Sequence, residues 1–197
     1  MMRGNETYLG MKGGAFLGQS EMHGKNYRQW KGMAYTSKQF APGAPNPKVA
    51  RFTTGKYRDD YDYLFKLISE GRVQIRHNAL EAARVAASKK VALVGEENFL
   101  LKVVTYPHVI LRENKMIATA GADRLQEGMR KAFGKPIGLA ARVDIGSTVL
   151  ELSLKAENFE KGKEAMKAAA TKLPMKTLVE IVKLEHPVAP TQPPAPS

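Results

Sequence analysis

Apolar positions in the chain follow two different periods, and the alternation between them predicts the elements. In RVQIR (72–76), Val73 and Ile75 alternate with polar neighbours, as in a short half-buried strand. In HNALEAARVAASKKVALVG the spacing changes. Leu80, Ala83, Ala87 and Val91 recur at helical intervals and the alanine content favours a helix. Asn78 is the candidate cap at its start, and Gly95 follows its end. NFLLKVVTYPHVILRENK reads as two strands, about 99–105 and 108–112, broken at Pro107. ARVDIGSTVLELSLK gives strands around 141–145 and 148–155. In the second, Leu150, Leu152 and Leu154 take one side, Glu151 and Ser153 the other. ENFEKGKEAMKAAATKLP predicts a second helix, with Asn158 as cap, an apolar side of Phe159, Met166, Ala169 and Leu173, and Pro174 as its stop. KTLVEIVKL is the last strand.

Between these elements, residues 113–122 lack a clear period. GADRLQEGMRKAF then offers a helix start. Asp123 and Gln126 have capping-box spacing, Leu125, Met129 and Phe133 share a face, and Gly134 and Pro136 end it. Strand, helix, strands, basic loop with helix, strands, helix and strand in that order argue for an α+β fold without internal repeats.

Outside that scaffold the composition changes. Residues 1–24 are rich in Gly and Met, have no period and read as a disordered extension. Residues 25–58 alternate cations with aromatics, and Pro42, Pro45 and Pro47 favour extended chain. Such an arm suits a groove in folded RNA, with cations on phosphates and rings on bases or riboses. Its aromatics could equally anchor it on the protein's own core. The scaffold then spans 59–186, with a basic loop region at 112–142, and residues 187–197 form a proline-rich tail.

Charge sharpens this division. The net charge is +12 over 197 residues, which implies a polyanionic partner. Residues 1–58 carry ten Lys/Arg against two acids, and residues 112–142 carry seven against three. The remainder holds 14 of each sign. The whole excess therefore lies in the arm and the loop region, as expected of two elements that touch nucleic acid.

Catalytic readings fail on spacing. GMRKAFGKP has five residues between Gly128 and Gly134 where a phosphate loop has four. Pro136 stands where that loop needs Ser or Thr. Cysteine is absent, which excludes disulfides and thiolate chemistry. The four histidines, at 23, 77, 108 and 186, have no metal-binding spacing. Asp59, Asp60 and Asp62 cluster in a polar segment, where carboxylates are ordinarily solvated. The N-terminal residues lack the apolar stretch of a signal peptide, and no apolar run approaches a membrane span. The reading is a non-enzymatic RNA-binding protein without cofactor, metal or membrane partner.

Three stretches carry a family resemblance: QIRHNALEAARVAASKK (74–90), YPHVILRENK (106–115) and GADRLQEGMRKAFGKPIGLAARVDIG (121–146). Together with GAPNPKVARFTTG in the arm, they resemble the universal large-subunit ribosomal protein L-sixteen family in its archaeal and eukaryotic branch, also called L-ten-e. The resemblance runs from about Tyr27 to about Glu185, and the first 24 residues and the tail lie outside it. It implies an alpha/beta-hammerhead type of α+β fold and binding to large-subunit rRNA beside the cleft for A-site and P-site tRNA. It also implies a loop, here about Lys115 to Gly128, that reaches towards the peptidyl transferase centre and is linked to late subunit maturation. The protein would be a cytoplasmic monomer within the ribosome, beside neighbouring ribosomal proteins.

Charge and resemblance agree on the candidate RNA contacts. In the arm these are Tyr27, Arg28, Trp30, Lys31, Tyr35, Lys38, Lys48 and Arg51. In the loop region they are Arg112, Lys115, Arg124, Arg130, Lys131, Lys135 and Arg142, to which the resemblance alone adds Asp123. Arg76 and His77 sit at a strand–helix junction, where RNA contact and structural capping are both open. The competing reading is a non-ribosomal RNA-binding or RNA-remodelling protein that uses the same two elements.

Overall fold

The structure, a computed structural model, describes residues 33–36, 41–114 and 133–184. Two antiparallel sheets share one core. The larger has five strands: β1 (Thr53–Gly55), β2 (Tyr63–Ser69), β4 (Phe99–Val103), β7 (Thr148–Leu154) and β8 (Thr177–Lys183). Their spatial order is β1-β4-β7-β2-β8. The smaller has β3 (Val73–Arg76), β5 (Val109–Glu113) and β6 (Lys135–Val143), in the order β3-β6-β5. Helices α1 (His77–Val91) and α2 (Phe159–Ala170) pack on each other and on the larger sheet. The two helices and antiparallel sheets make an α+β fold.

The alternation in β7 sets the core. Leu152 pairs with Leu101 on one side and Phe65 on the other, and Phe65 pairs in turn with Ile181. Directly opposed residues share a face, so these four form one inward row. Leu101, Leu152 and Phe65 are fully buried. Helix α1 lays Leu80, Ala83, Ala87 and Val91 on the same core, as their spacing predicts, and α2 adds Ala165, Met166 and Ala169. Val73, Ile75, Ala141 and Val143 join the core from the smaller sheet. On the outer face of the larger sheet, the register aligns Lys102, Glu151, Lys66 and Glu180 across four strands. Opposite charges on neighbouring strands attract, and such a row suits the solvated side of an antiparallel sheet.

The structure corrects several expectations. Asn78 does not cap α1: Arg76 holds the cap position and no side chain makes the capping bond. Asn158 stands at the cap of α2 but makes no such bond. Instead the Asp62 carboxylate accepts the Ala156 N–H at 2.8 Å, ahead of the helix. Strands β1 and β2 have no counterpart in the sequence reading. Strand β6 begins at Lys135, where Gly134 and Pro136 were expected to end a helix. The register skips residue 137, so Pro136 lies at an irregularity, where a missing N–H is tolerated. The helix expected before it, the extension at 1–24 and the tail at 187–197 lie outside the described residues.

Residues 41–55, read as part of the arm, are anchored on the scaffold, Val49 in the main core and Ala41 in a separate small cluster with Ile110 and Leu139. Val49 and Ala41 are buried, and β1 pairs with β4 at the sheet edge. Gly55 makes that pairing possible. Its φ is +100°, and a Cβ there would collide with the Phe99 carbonyl oxygen. Gly55→Ala is therefore expected to lower stability in urea unfolding by about 1–3 kcal/mol. Gly43, at φ +78°, has open space around it. Gly43→Ala should cost less, about 1 kcal/mol, and equal losses would show that the Phe99 contact does not matter.

Candidate RNA-binding surface

Many charges of the scaffold and of the arm's last residues compensate each other. Lys56 and Arg58 meet Glu97, Lys66 meets Glu180, Arg72 meets Asp144 and Arg84 meets Glu81. Lys90 meets Glu164, Lys155 meets Asp60 and Lys163 meets Glu160. Lys48 and Arg51 differ. Both are exposed, and neither forms an ion pair among the described residues. No acid occurs anywhere in residues 41–58. Lys135 is likewise exposed and stands opposite Glu113 in the register without closing an ion pair.

The sequence-chosen arginines in the smaller sheet are tied into the fold. The Arg112 guanidinium lies 3.7 Å from the centre of the Phe133 ring and 4.6 Å from that of Tyr35. The two rings meet edge to face at 6.1 Å. The ring faces attract the cation, and the Arg112 Nη1 atom is buried without a hydrogen-bond partner among the described residues. Arg142 donates from Nε to the Gln74 amide oxygen at 3.4 Å and from Nη2 to the Met33 carbonyl at 3.1 Å. The Ile110 N–H donates to the Tyr35 carbonyl at 2.8 Å. Together these bonds fasten residues 33–36 to the smaller sheet. Arg76 pairs with Ala140 and Gln74 with Arg142, so Arg76 and Arg142 share one face of that sheet.

His77 is a buried fastener. Its Nδ1 accepts the Lys48 backbone N–H at 3.3 Å, which puts the ring proton on Nε2 and leaves the ring neutral. Burial, reinforced by the neighbouring Arg76 and Lys48 charges, holds its pKa below the ordinary histidine value. The ring pins the arm's Lys48–Val49 segment to the start of α1.

Tyr35, Arg112 and Phe133 are thus brought together at one end of the smaller sheet, and Lys48, Arg76 and His77 at the start of α1. Tyr27, Arg28, Trp30, Lys31, Lys38, Lys115, Asp123, Arg124, Arg130 and Lys131 lie outside the described residues.

The acidic cluster has structural partners. Arg58, Asp59, Asp60 and Asp62 line an open hollow of about 690 Å³. Asp60 accepts a bond from Lys155 at 2.8 Å, which lowers its pKa, and Asp62 holds the entry to α2. Among the described residues, no group of three or more His, Cys, Asp or Glu could hold a metal, and no helix is long and apolar enough to cross a membrane.

Sequence reasoning missed one surface feature. Phe52 and Tyr106 stack at 5.5 Å with their planes 29° apart, and Tyr106 remains 52% exposed. The signal was present in VTYPH (104–108), where Val104, Tyr106 and His108 alternate with Thr105 and Pro107.

The buried His77 makes stability pH-dependent. Its folded pKa is depressed, so the unfolded chain binds the proton more readily. Stability should fall as pH drops below about 6.5, the ordinary histidine value. Urea midpoints measured at pH 7.5 and 5.0 should differ less in His77→Gln than in the parent chain. An unchanged difference would assign the pH dependence to other groups.

Comparison with known proteins matches residues 30–180 to the family described as ribosomal protein L16p/L10e. The large ribosomal subunit protein uL16 of Sulfolobus acidocaldarius is 51% identical over 169 residues, 84% of this chain and 96% of that protein. The protein of the same name from Metallosphaera sedula is 50% identical over 166 residues, 83% and 95% of the two chains. That from Staphylothermus marinus is 53% identical over 150 residues, 76% and 86%. With the family match covering residues 30–180 and relatives about half identical over more than four-fifths of its length, the chain belongs to the ribosomal protein L16p/L10e family.

Proposed function

We propose that this chain is a structural constituent of the large ribosomal subunit in the cytoplasm, binds large-subunit rRNA and catalyses nothing itself. The observation that carries this reading is its match to relatives named as large-subunit proteins over more than four-fifths of its length. The charge distribution supports it. Lys48 and Arg51 project from an acid-free stretch that His77 and β1 hold against the core. Cations without carboxylate neighbours are suited to phosphate contacts, which fix position on RNA without reading sequence.

The finer picture follows the family. The chain would lie beside the A-site and P-site tRNA cleft, as one copy among neighbouring ribosomal proteins. Residues 25–58 would act as an RNA-binding arm on a hammerhead-type core spanning 59–186. Within the loop region 112–142, the segment from about Lys115 to Gly128 would be directed to the peptidyl transferase centre and support late subunit maturation. Arg124 and Arg130 would be RNA contacts in that region.

Co-sedimentation after a high-salt wash tests the reading. The tagged chain should remain in the large-subunit peak at near-unit stoichiometry. Release into light or heterogeneous RNA fractions would instead identify a non-ribosomal RNA-binding protein. A second measurement tests the surface. If about eight phosphates are neutralised, binding to large-subunit rRNA should fall with salt at a log–log slope near -6 to -7. The pair Lys48→Glu and Arg51→Glu should make that slope shallower by about 1.4–1.8 while leaving thermal unfolding unchanged. An unaltered slope would remove these two residues from the contact surface.

A further inference from the structure

The chain leaves the larger sheet at Val103 and enters the smaller one at Val109, and backbone hydrogen bonds fix the start of the connector between them. The Val103 N–H donates to the Phe52 carbonyl at 2.7 Å, and the Val104 N–H donates to the Val149 carbonyl at 3.0 Å. Pro107 is buried, while Val104, Tyr106 and His108 are exposed. The connector therefore exposes an aliphatic side chain, a phenol ring and an imidazole at alternate positions. Phe52 backs the Tyr106 ring. His108 Nδ1 lies 3.0 Å from the Tyr106 carbonyl, and a carbonyl only accepts, so Nδ1 carries the proton and the ring is oriented.

The two stretches that meet here carry charge of one sign. The stretches that meet at the Phe52–Tyr106 stack, residues 41–58 and 98–112, contain no acid. Arg51 precedes Phe52, is exposed and forms no ion pair among the described residues, while Lys102, also exposed, has Glu151 opposite it on β7. A fixed, exposed ring beside a cation without an ion pair has the chemistry that holds single-stranded nucleic acid: a π face for a base and a cation for a phosphate. A ring already held by its neighbour loses little freedom on binding.

We propose that Tyr106, backed by Phe52 and flanked by His108, is a stacking platform for an unpaired RNA nucleotide, with Arg51 supplying charge to its phosphate. The proposal deepens the rRNA-binding reading and rests on it for the identity of the RNA, but not for the stacking chemistry itself.

Two measurements test it. In the first, the purified full-length chain is titrated with a 12-mer oligouridylate and with an abasic 12-mer of equal charge. Tyr106→Ala should weaken binding to the oligouridylate by about 5- to 150-fold and leave the abasic strand unaffected, while Tyr106→Phe should bind both like the parent chain. Equal weakening on both strands, or none on either, would overturn the platform. In the second, large subunits carrying each variant are probed with dimethyl sulfate and carbodiimide. Tyr106→Ala should expose one or a few unpaired bases that are protected in the parent and in Tyr106→Phe. An identical protection pattern would mean that Tyr106 faces protein or solvent, and would overturn the platform. If the base preference depends on Tyr106 but the parent chain does not sediment with large subunits, the platform stands and the ribosomal reading falls.

Discussion

Helix α2 descends on the larger sheet at Gly162, and the rest of the architecture depends on that approach. A Cβ at this position would meet the Leu154 Cδ1 at 2.7 Å and the Phe65 ring at 2.9 Å. Without a side chain there, the helix backbone rests on the two strands that carry the inward row of the core. The height of α2 sets the position of α1 beside it. Helix α1 grows out of β3 without an intervening residue, from Arg76 to His77, so its placement also fixes the smaller sheet. Interiors are packed closely enough that one added methyl is felt. At Gly162 that sensitivity reaches the relation between the two sheets.

The smaller sheet is where the basic segments converge, and their anchoring draws on the same core. His77 accepts the Lys48 backbone N–H from inside the fold, and Ile110 and Arg142 hold residues 33–36 at the far side of the sheet. Exposed cations are thereby carried on backbone that the scaffold fixes. A strongly positive protein also repels itself. Confining the excess to two segments, around a scaffold with 14 charges of each sign, keeps that repulsion out of the core.

The sequence made the helices legible because their periodicity coincides with burial. Leu80, Ala83, Ala87 and Val91 are apolar where α1 is buried. Strand β7 was legible for the same reason. Strand β2 was hidden because Leu64 and Ile68 on its outer face are as apolar as Phe65 and Leu67 on its inner face, which erases the alternation. Strand β1 is three residues long and ends in glycine, so its pairing depends on β4 rather than on local preference. The first residues of β6 were obscured by Gly134 and Pro136, which signal a stop unless a partner strand tolerates an irregularity at that point. Caps failed as signals for a related reason: Asp62 holds Ala156, just ahead of α2, from 94 residues away, beyond the reach of any local pattern.

Charge counting located the basic segments but could not separate the ways in which a cation is used. Arg112 and Arg51 contribute equally to the excess. The Arg112 guanidinium lies against two rings, with one nitrogen buried. Its removal would take the cation from both rings and leave only their edge-to-face contact, so part of its role is to help hold residues 33–36 and Phe133 together. Arg51 has no such neighbour among the described residues, and its charge is available to a partner. A guanidinium can serve both purposes, because its planar face packs on aromatic rings while its edge donates hydrogen bonds. For that reason Arg112 would not be a neutral control for phosphate binding: replacing it would disturb the fold and the surface together. Lys48 and Arg51, whose side chains are exposed and form no ion pairs among the described residues, allow the two effects to be measured separately.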